Sequence, residues 1–126
     1  MDQVQAEVDL AALKTIIEQL QLALPGVRSV LVTRNDGLPL VETPQVDATK
    51  LAAMTATAIS LNKRILATTS AGDLTETSIS GSQGYILLYA AGPRAVLALS
   101  AERKANVAMI NLKARRAAQK VADAFA

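Results

Sequence analysis

Two apolar stripes run along the stretch Ala48–Thr68, ATKLAAMTATAISLNKRILAT. Leu51, Met54, Ala58, Leu61 and Ile65 recur at alternating steps of three and four, which is one face of an α-helix. Ala52, Ala56, Ile59 and Leu66 recur with the same rhythm. At about 100° per residue the second set centres roughly opposite the first. Thr55 and Asn62 separate the stripes on one side, and Thr57, Ser60 and Arg64 on the other. A surface helix of a small domain needs only one apolar stripe. This helix is therefore expected to pack one face on its own core and the other on a second chain. Its Thr, Ser and Asn content argues against membrane insertion, which takes about 20 mostly apolar residues.

The flanking pattern supplies the other elements. Asp9 is placed to cap a helix whose stripe is Leu10, Leu13, Ile17, Leu20 and Leu24, widened by Ile16. Pro25-Gly26 ends it. Ser29 to Thr33 is a short β-branched strand, Asn35-Asp36-Gly37 a reverse turn, and Leu38 to Glu42 the returning strand. Pro39 confines that second strand to an edge or to its own start, and Pro44 closes it. Asp47 is a suitable N-cap for the two-striped helix. Beyond the loop from Ser70 to Asp73, Thr75 to Ser80 is a polar strand with little to bury, which marks it as an edge. Tyr85 to Ala90 is almost wholly apolar and reads as a central strand covered on both faces. Ala95 to Leu99 is the last strand. The final helix carries Val107, Ile110, Ala114, Ala117, Val121 and Ala124 as its buried seam, with Lys113, Arg116 and Lys120 on the far side.

The order is α-β-β-α-β-β-β-α. Short turns between consecutive strands pair them antiparallel. The expected fold is α+β: a five-stranded, mostly antiparallel sheet with helices on both faces. No linker or repeat divides it, so residues 1–126 read as a single domain. An edge strand presents unpaired backbone groups that a second copy can satisfy. The two-striped helix and the polar edge strand thus both point to a homodimer.

Composition narrows the chemistry. The 126 residues contain no cysteine and no histidine. That excludes thiolate and imidazole metal sites and the Ser-His and Cys-His nucleophile pairs. Neither GxxxxGK[ST] nor GxGxxG occurs, so nucleotide binding by those loops is not expected. Gly81-Ser82-Gln83-Gly84 joins two strands, unlike the helix-joining GxxG clamp of RNA-binding domains. No cofactor and no enzymatic activity of its own are expected. The acids in MDQVQAEVDL are incompatible with a secretory leader, which leaves a cytoplasmic location as the expectation. Net charge is +2, but Arg103, Lys104, Lys113, Arg115, Arg116 and Lys120 concentrate positive charge near the C-terminus. Without interleaved aromatics this reads as a solvated helix face rather than a nucleic-acid or lipid patch, so no nucleic acid is expected as a partner.

Leu24-Pro25-Gly26-Val27 after the first helix, Asn35-Asp36-Gly37-Leu38-Pro39 in the hairpin and Leu51-Ala52-Ala53 in the second helix form an ordered set of junctions. Gly84 with Ile86-Leu87-Leu88, and Ala105-Asn106-Val107 entering the last helix, complete it. In that order and spacing, over nearly the whole chain, the sequence resembles the Roadblock (dynein light-chain type) family, and within it the MglB-like regulators. The resemblance implies a non-enzymatic homodimer joined through its third strands and second helices. The paired helices would form a platform for a Ras-like (MglA-like) small GTPase, whose hydrolysis MglB-like members stimulate, or for subunits of a larger complex that the protein scaffolds. Longer MglB-like members continue past the last helix; here no role for such an extension is expected.

On that reading the smaller stripe, Ala52, Ala56, Ile59 and Leu66, is assigned to the dimer, because small residues let helices approach closely. Thr75, Thr77 and Ile79 join it from the edge strand. The bulkier stripe, Leu51, Met54, Leu61 and Ile65, is assigned to the core; the reverse assignment satisfies the same pattern. Thr57, Ser60 and Arg64 are then left to meet a GTPase. An arginine can stabilise charge in phosphoryl transfer, although a solvated or salt-bridged Arg64 is the plainer reading. Asp36-Gly37 has a functional reading as a contact loop, but the structural turn is the plainer one. The alternative function is a small-molecule-sensing α+β domain, which needs polar groups converging in a cavity; the buried strands supply mainly Ala, Leu and Val.

Overall fold

The computed structural model describes residues 8–44 and 46–125. Most of the acidic N-terminal stretch lies outside them. The described elements are α1 (Leu10–Ala23), β1 (Val27–Arg34), β2 (Pro39–Glu42), α2 (Ala48–Thr68), β3 (Glu76–Gly81), β4 (Gly84–Ala91), β5 (Ala95–Glu102) and α3 (Val107–Asp123). The order matches the one read from the sequence.

Local chemistry sets the helix boundaries. The Asp9 carboxylate accepts from the Ala12 backbone N–H at 3.0 Å, and the Asp47 carboxylate from that of Lys50 at 3.4 Å, each satisfying a donor with no partner in the first turn. Asn106 caps α3 in the same way through Met109 at 3.1 Å.

The sheet order is β2-β1-β5-β4-β3, with every pair antiparallel. β3, β4 and β5 form a meander, and β5 then lies beside β1, so the two hairpins join through strands far apart in sequence. The sequence reading put Tyr85 to Ala90 at the centre; the central strand is β5, whose burial is nearly complete. β4 sits one place towards the edge, yet it is covered on both faces as expected. Its Leu87 and Tyr89 enter one core cluster and its Leu88 the other. Gly84 opens β4 because a β-carbon there would lie 2.6 Å from the Ala101 carbonyl oxygen.

Both sheet faces are buried. On one, Val30, Val32, Leu87, Tyr89, Leu97 and Leu99 pack with Leu13 and Ile17 of α1 and Ile110 and Val121 of α3. On the other, Leu31, Leu88, Val96 and Ala98 meet Ala52 and Ile59 of α2. Two covered faces remove the polar alternation of a one-sided sheet. Asp9 N–H donates to the Ala124 carbonyl at 3.0 Å, which ties the start of α1 to the end of α3 and sets the two helices antiparallel. Arg116 and Lys120 are exposed as expected and Lys113 is half-buried, and all three line a groove beside α1.

Candidate protein-interaction site

Helix α2 has three sides rather than two. Ala52, Thr55 and Ile59 are buried against the sheet. Met54, Leu61 and Ile65 are 59%, 53% and 52% exposed. This reverses the expected assignment: Ala52 and Ile59 are core and are not free to meet a second copy, while Ala56 and Leu66 are half-buried. The cause is volume. The strand face beneath α2 is already filled by Leu31, Leu88 and Val96, so the helix comes down on its small residues, with Ile59 as the one large side chain inserted. Leu51 and Ala58 are half-buried at the margin of this core cluster, against which Leu74 and Ile86 also pack. The exposed Met54–Leu61–Ile65 stripe therefore lies about 130° round the helix from the sheet-facing line, on the flank shared with Leu51 and Ala58.

Strand β3 is an edge, as its polarity predicted. Its register sets Ile79 opposite Ile86 and Thr77 opposite Leu88, so both project on the α2 side of the sheet. Ile79 is 49% exposed. Thr75 lies just before the strand and is exposed. On the other side of the sheet β3 is anchored to α3. Arg115 donates to the Glu76 carboxylate at 2.5 Å, and beside it, from β4, the hydroxyl of buried Tyr89 donates to Asn111 Oδ1 of α3 at 2.5 Å. The adjacent Thr75 side chain and, more weakly, Arg115 hold the Glu76 carboxyl below its ordinary range, against the opposing effect of burial. Burial first, and the Glu76 charge second, push the Tyr89 phenol well above its usual range.

The third side of α2 faces the β1–β2 turn. Gly37 has φ +95°, and a β-carbon there would sit 3.4 Å from Ala53 Cα and 3.8 Å from Ala56 Cβ. The turn can thus lie directly on the helix. It is held there by Asn35, whose backbone N–H donates to the Arg94 carbonyl at 2.9 Å and whose side chain donates to the Pro93 carbonyl at 2.8 Å. Arg34 pairs with Asp36 at 2.9 Å. Between turn and helix lies an open groove of about 420 Å³ lined by Asn35, Asp36, Thr57, Ser60, Leu61 and Arg64. Thr57, Ser60 and Arg64, picked from the sequence as one line of a helix, do share a site. Asn35 and Asp36 line it too, although the sequence favours a structural turn over a contact loop at Asp36-Gly37. Small residues at Ala53 and Ala56 facing a glycine turn are the signal that would have joined them.

Comparison with known proteins settles the family. Residues 13–101 match the family model described as the Roadblock/LC7 domain. The chain belongs to the Roadblock/LC7 family. Two uncharacterised proteins of Methanocaldococcus jannaschii, MJ1340 and MJ0310, are each 31% identical to it over 102 residues, covering 79% of this chain and 89% of theirs. Among solved structures, the Roadblock/LC7 domain from Streptomyces avermitilis superimposes with a TM-score of 0.81 at 20% identity, covering 86% of this chain and 92% of that one. Myxococcus xanthus MglB does so with a TM-score of 0.83 at 14% identity, covering 91% and 88%. At such identities the likeness is one of fold. Among the described residues no helix is long and apolar enough to cross a membrane.

Proposed function

We propose that this Roadblock/LC7 protein is a non-enzymatic, homodimeric interaction module that binds and regulates a Ras-like small GTPase. The observation that carries the reading is the juxtaposition on α2: an exposed apolar stripe, Met54, Leu61 and Ile65, beside a polar groove with Arg64 at its rim. A second copy related by a two-fold axis covers the stripe and pairs β3 with β3, burying Ile79 and satisfying the edge. Thr75 and Thr77 belong to that interface. Ala52 and Ile59, already in the core, do not.

Dimerisation brings two grooves onto one surface. Thr57, Ser60 and Arg64, with Asn35 and Asp36, then form the surface for the GTPase. Arg34 and Asp36 neutralise one another, which leaves Arg64 as the cation with no ion pair there among the described residues.

The test is capture of a purified MglA-like GTPase by the immobilised protein, once with a non-hydrolysable GTP analogue and once with GDP. Retention in the GTP state with faster hydrolysis in solution supports a regulator. Retention in both states supports a scaffold, and retention in neither overturns the reading.

A further inference from the structure

The positive charge concentrated near the C-terminus does not stay together in the fold. The Arg103 guanidinium lies over the Tyr85 ring, 4.9 Å from its centroid, and donates to Ser80 Oγ at 2.8 Å. Arg115 is taken by Glu76. Apart from Lys104, which precedes α3, Lys113, Arg116 and Lys120 remain, and none of the three forms an ion pair among the described residues. At spacings of three and four they fall on one line of α3. That line is one wall of a groove of about 250 Å³ between α3 and α1, whose opposite wall is Ile16, Gln19, Leu20 and Ala23. Among the described residues no acidic side chain lines it. Met109 and Leu112, 43% and 51% exposed, extend the apolar surface along α3 on the same side as Arg116.

We infer that this groove is a docking site for an acidic amphipathic helix of a partner protein. The groove is concave, largely apolar on the α1 wall apart from the Gln19 amide, and cationic on the other. A helix entering it places Leu or Ile at its own three- and four-residue spacings between α1 and α3, and Asp or Glu on the flank against Lys113, Arg116 and Lys120. The spacing matches: the three cations span about 10 Å along α3 at about 1.5 Å per residue, the same rise at which a neighbouring helix presents its carboxylates. A flat bilayer reaches Lys and Arg on a convex ridge but does not enter such a trough. Single-stranded nucleic acid needs a stacking surface, and no aromatic lines it. The groove lies on the face of the sheet opposite α2, so dimerisation through α2 and β3 leaves it open, and the inference stands apart from the GTPase reading.

The probe is a fluorescein-labelled synthetic helix of about 18 residues, five turns, with leucines along one stripe and glutamates on its flanks. It is titrated against the full chain and followed by anisotropy and by amide chemical shifts. Saturable binding is expected, with shifts confined to α1 and α3. Arg116→Glu/Lys120→Glu weakens it about tenfold or more. Ala23→Trp fills the trough while keeping every charge, and abolishes binding at an unchanged melting temperature. Binding that survives Ala23→Trp, or that is equal for a peptide with lysines in place of glutamates, overturns the inference. So does failure of the peptide to bind while the protein sediments with phosphatidylserine vesicles through Arg116 and Lys120.

Discussion

Gly37 rests on the backbone of Ala53, with 3.4 Å between the position its β-carbon would take and Ala53 Cα. The β1–β2 turn is thereby fixed to the N-terminal half of α2, and the groove walls are set by a contact between two elements. Its φ of +95° lies where L-residues are strained.

Gly37→Ala tests that contact. The added methyl meets Ala53 at ordinary van der Waals range, so the cost is mainly backbone strain, about 1–2 kcal/mol. The expected result is a lower urea midpoint with an unchanged slope. A midpoint equal to that of the unmodified protein would show that the turn reaches another conformation at no cost.

Ile59 and Ile65 sit on the same helix, 3% and 52% exposed, and should respond oppositely. Ile59→Ala removes a buried side chain between α2 and the sheet and should cost about 2–5 kcal/mol; Ile59→Asp should leave no folded protein. Ile65→Asp should keep the far-ultraviolet circular dichroism intact and shift the sedimentation coefficient to that of a monomer. A folded Ile59→Asp protein would contradict the placement of that face, and a dimeric Ile65→Asp protein would contradict the interface.

Glu76 predicts a pH dependence. Its folded pKa lies below the ordinary 4.5, so its contribution to stability is fully present above that pH and is lost as the pH falls through the folded value. The Arg115 partner is half exposed to solvent, which limits the pair to about 0.5–1 kcal/mol. Glu76→Gln should therefore be less stable than the unmodified protein at neutral pH by that amount, and the gap should close on acidification. Thermal unfolding across a pH series reads it directly, and a gap that widened in acid would exclude the mechanism.

The sequence was most informative where the determining contact is local. Asp9 and Asp47 cap helices whose first turns follow directly, Asn35-Asp36-Gly37 forms its turn within a few residues, and polar β3 stands at an edge because it has nothing to bury. It was least informative about the rotation of α2. Periodicity defines the stripes Ala52–Ile59 and Leu61–Ile65 equally well; which one meets the sheet depends on the volumes of Leu31, Leu88 and Val96, contributed by three strands from elsewhere in the chain. The place of β5 between β1 and β4 is non-local for the same reason. The groove was half legible: Thr57, Ser60 and Arg64 share a helix line, whereas Asn35 and Asp36 reach it only through the fold.

Arg64 is the residue on which the proposed GTPase surface turns. It is exposed, projects from the groove rim and has no acidic partner among the described residues, so removing it opens no cavity and leaves no buried charge behind. Arg64→Ala should leave the melting temperature and the dimer unchanged. Affinity for the GTP-bound partner should fall about tenfold, which corresponds to about 1.4 kcal/mol. Arg64→Lys separates two ways of losing that affinity. A guanidinium that forks onto a carboxylate or phosphate is not replaced by an ammonium, whereas a charge acting at longer range is. Affinity restored by lysine would mean that Arg64 steers the partner by charge, and affinity still lost would mean a directed contact. Equal affinity in all three proteins would move the binding surface away from this side of α2.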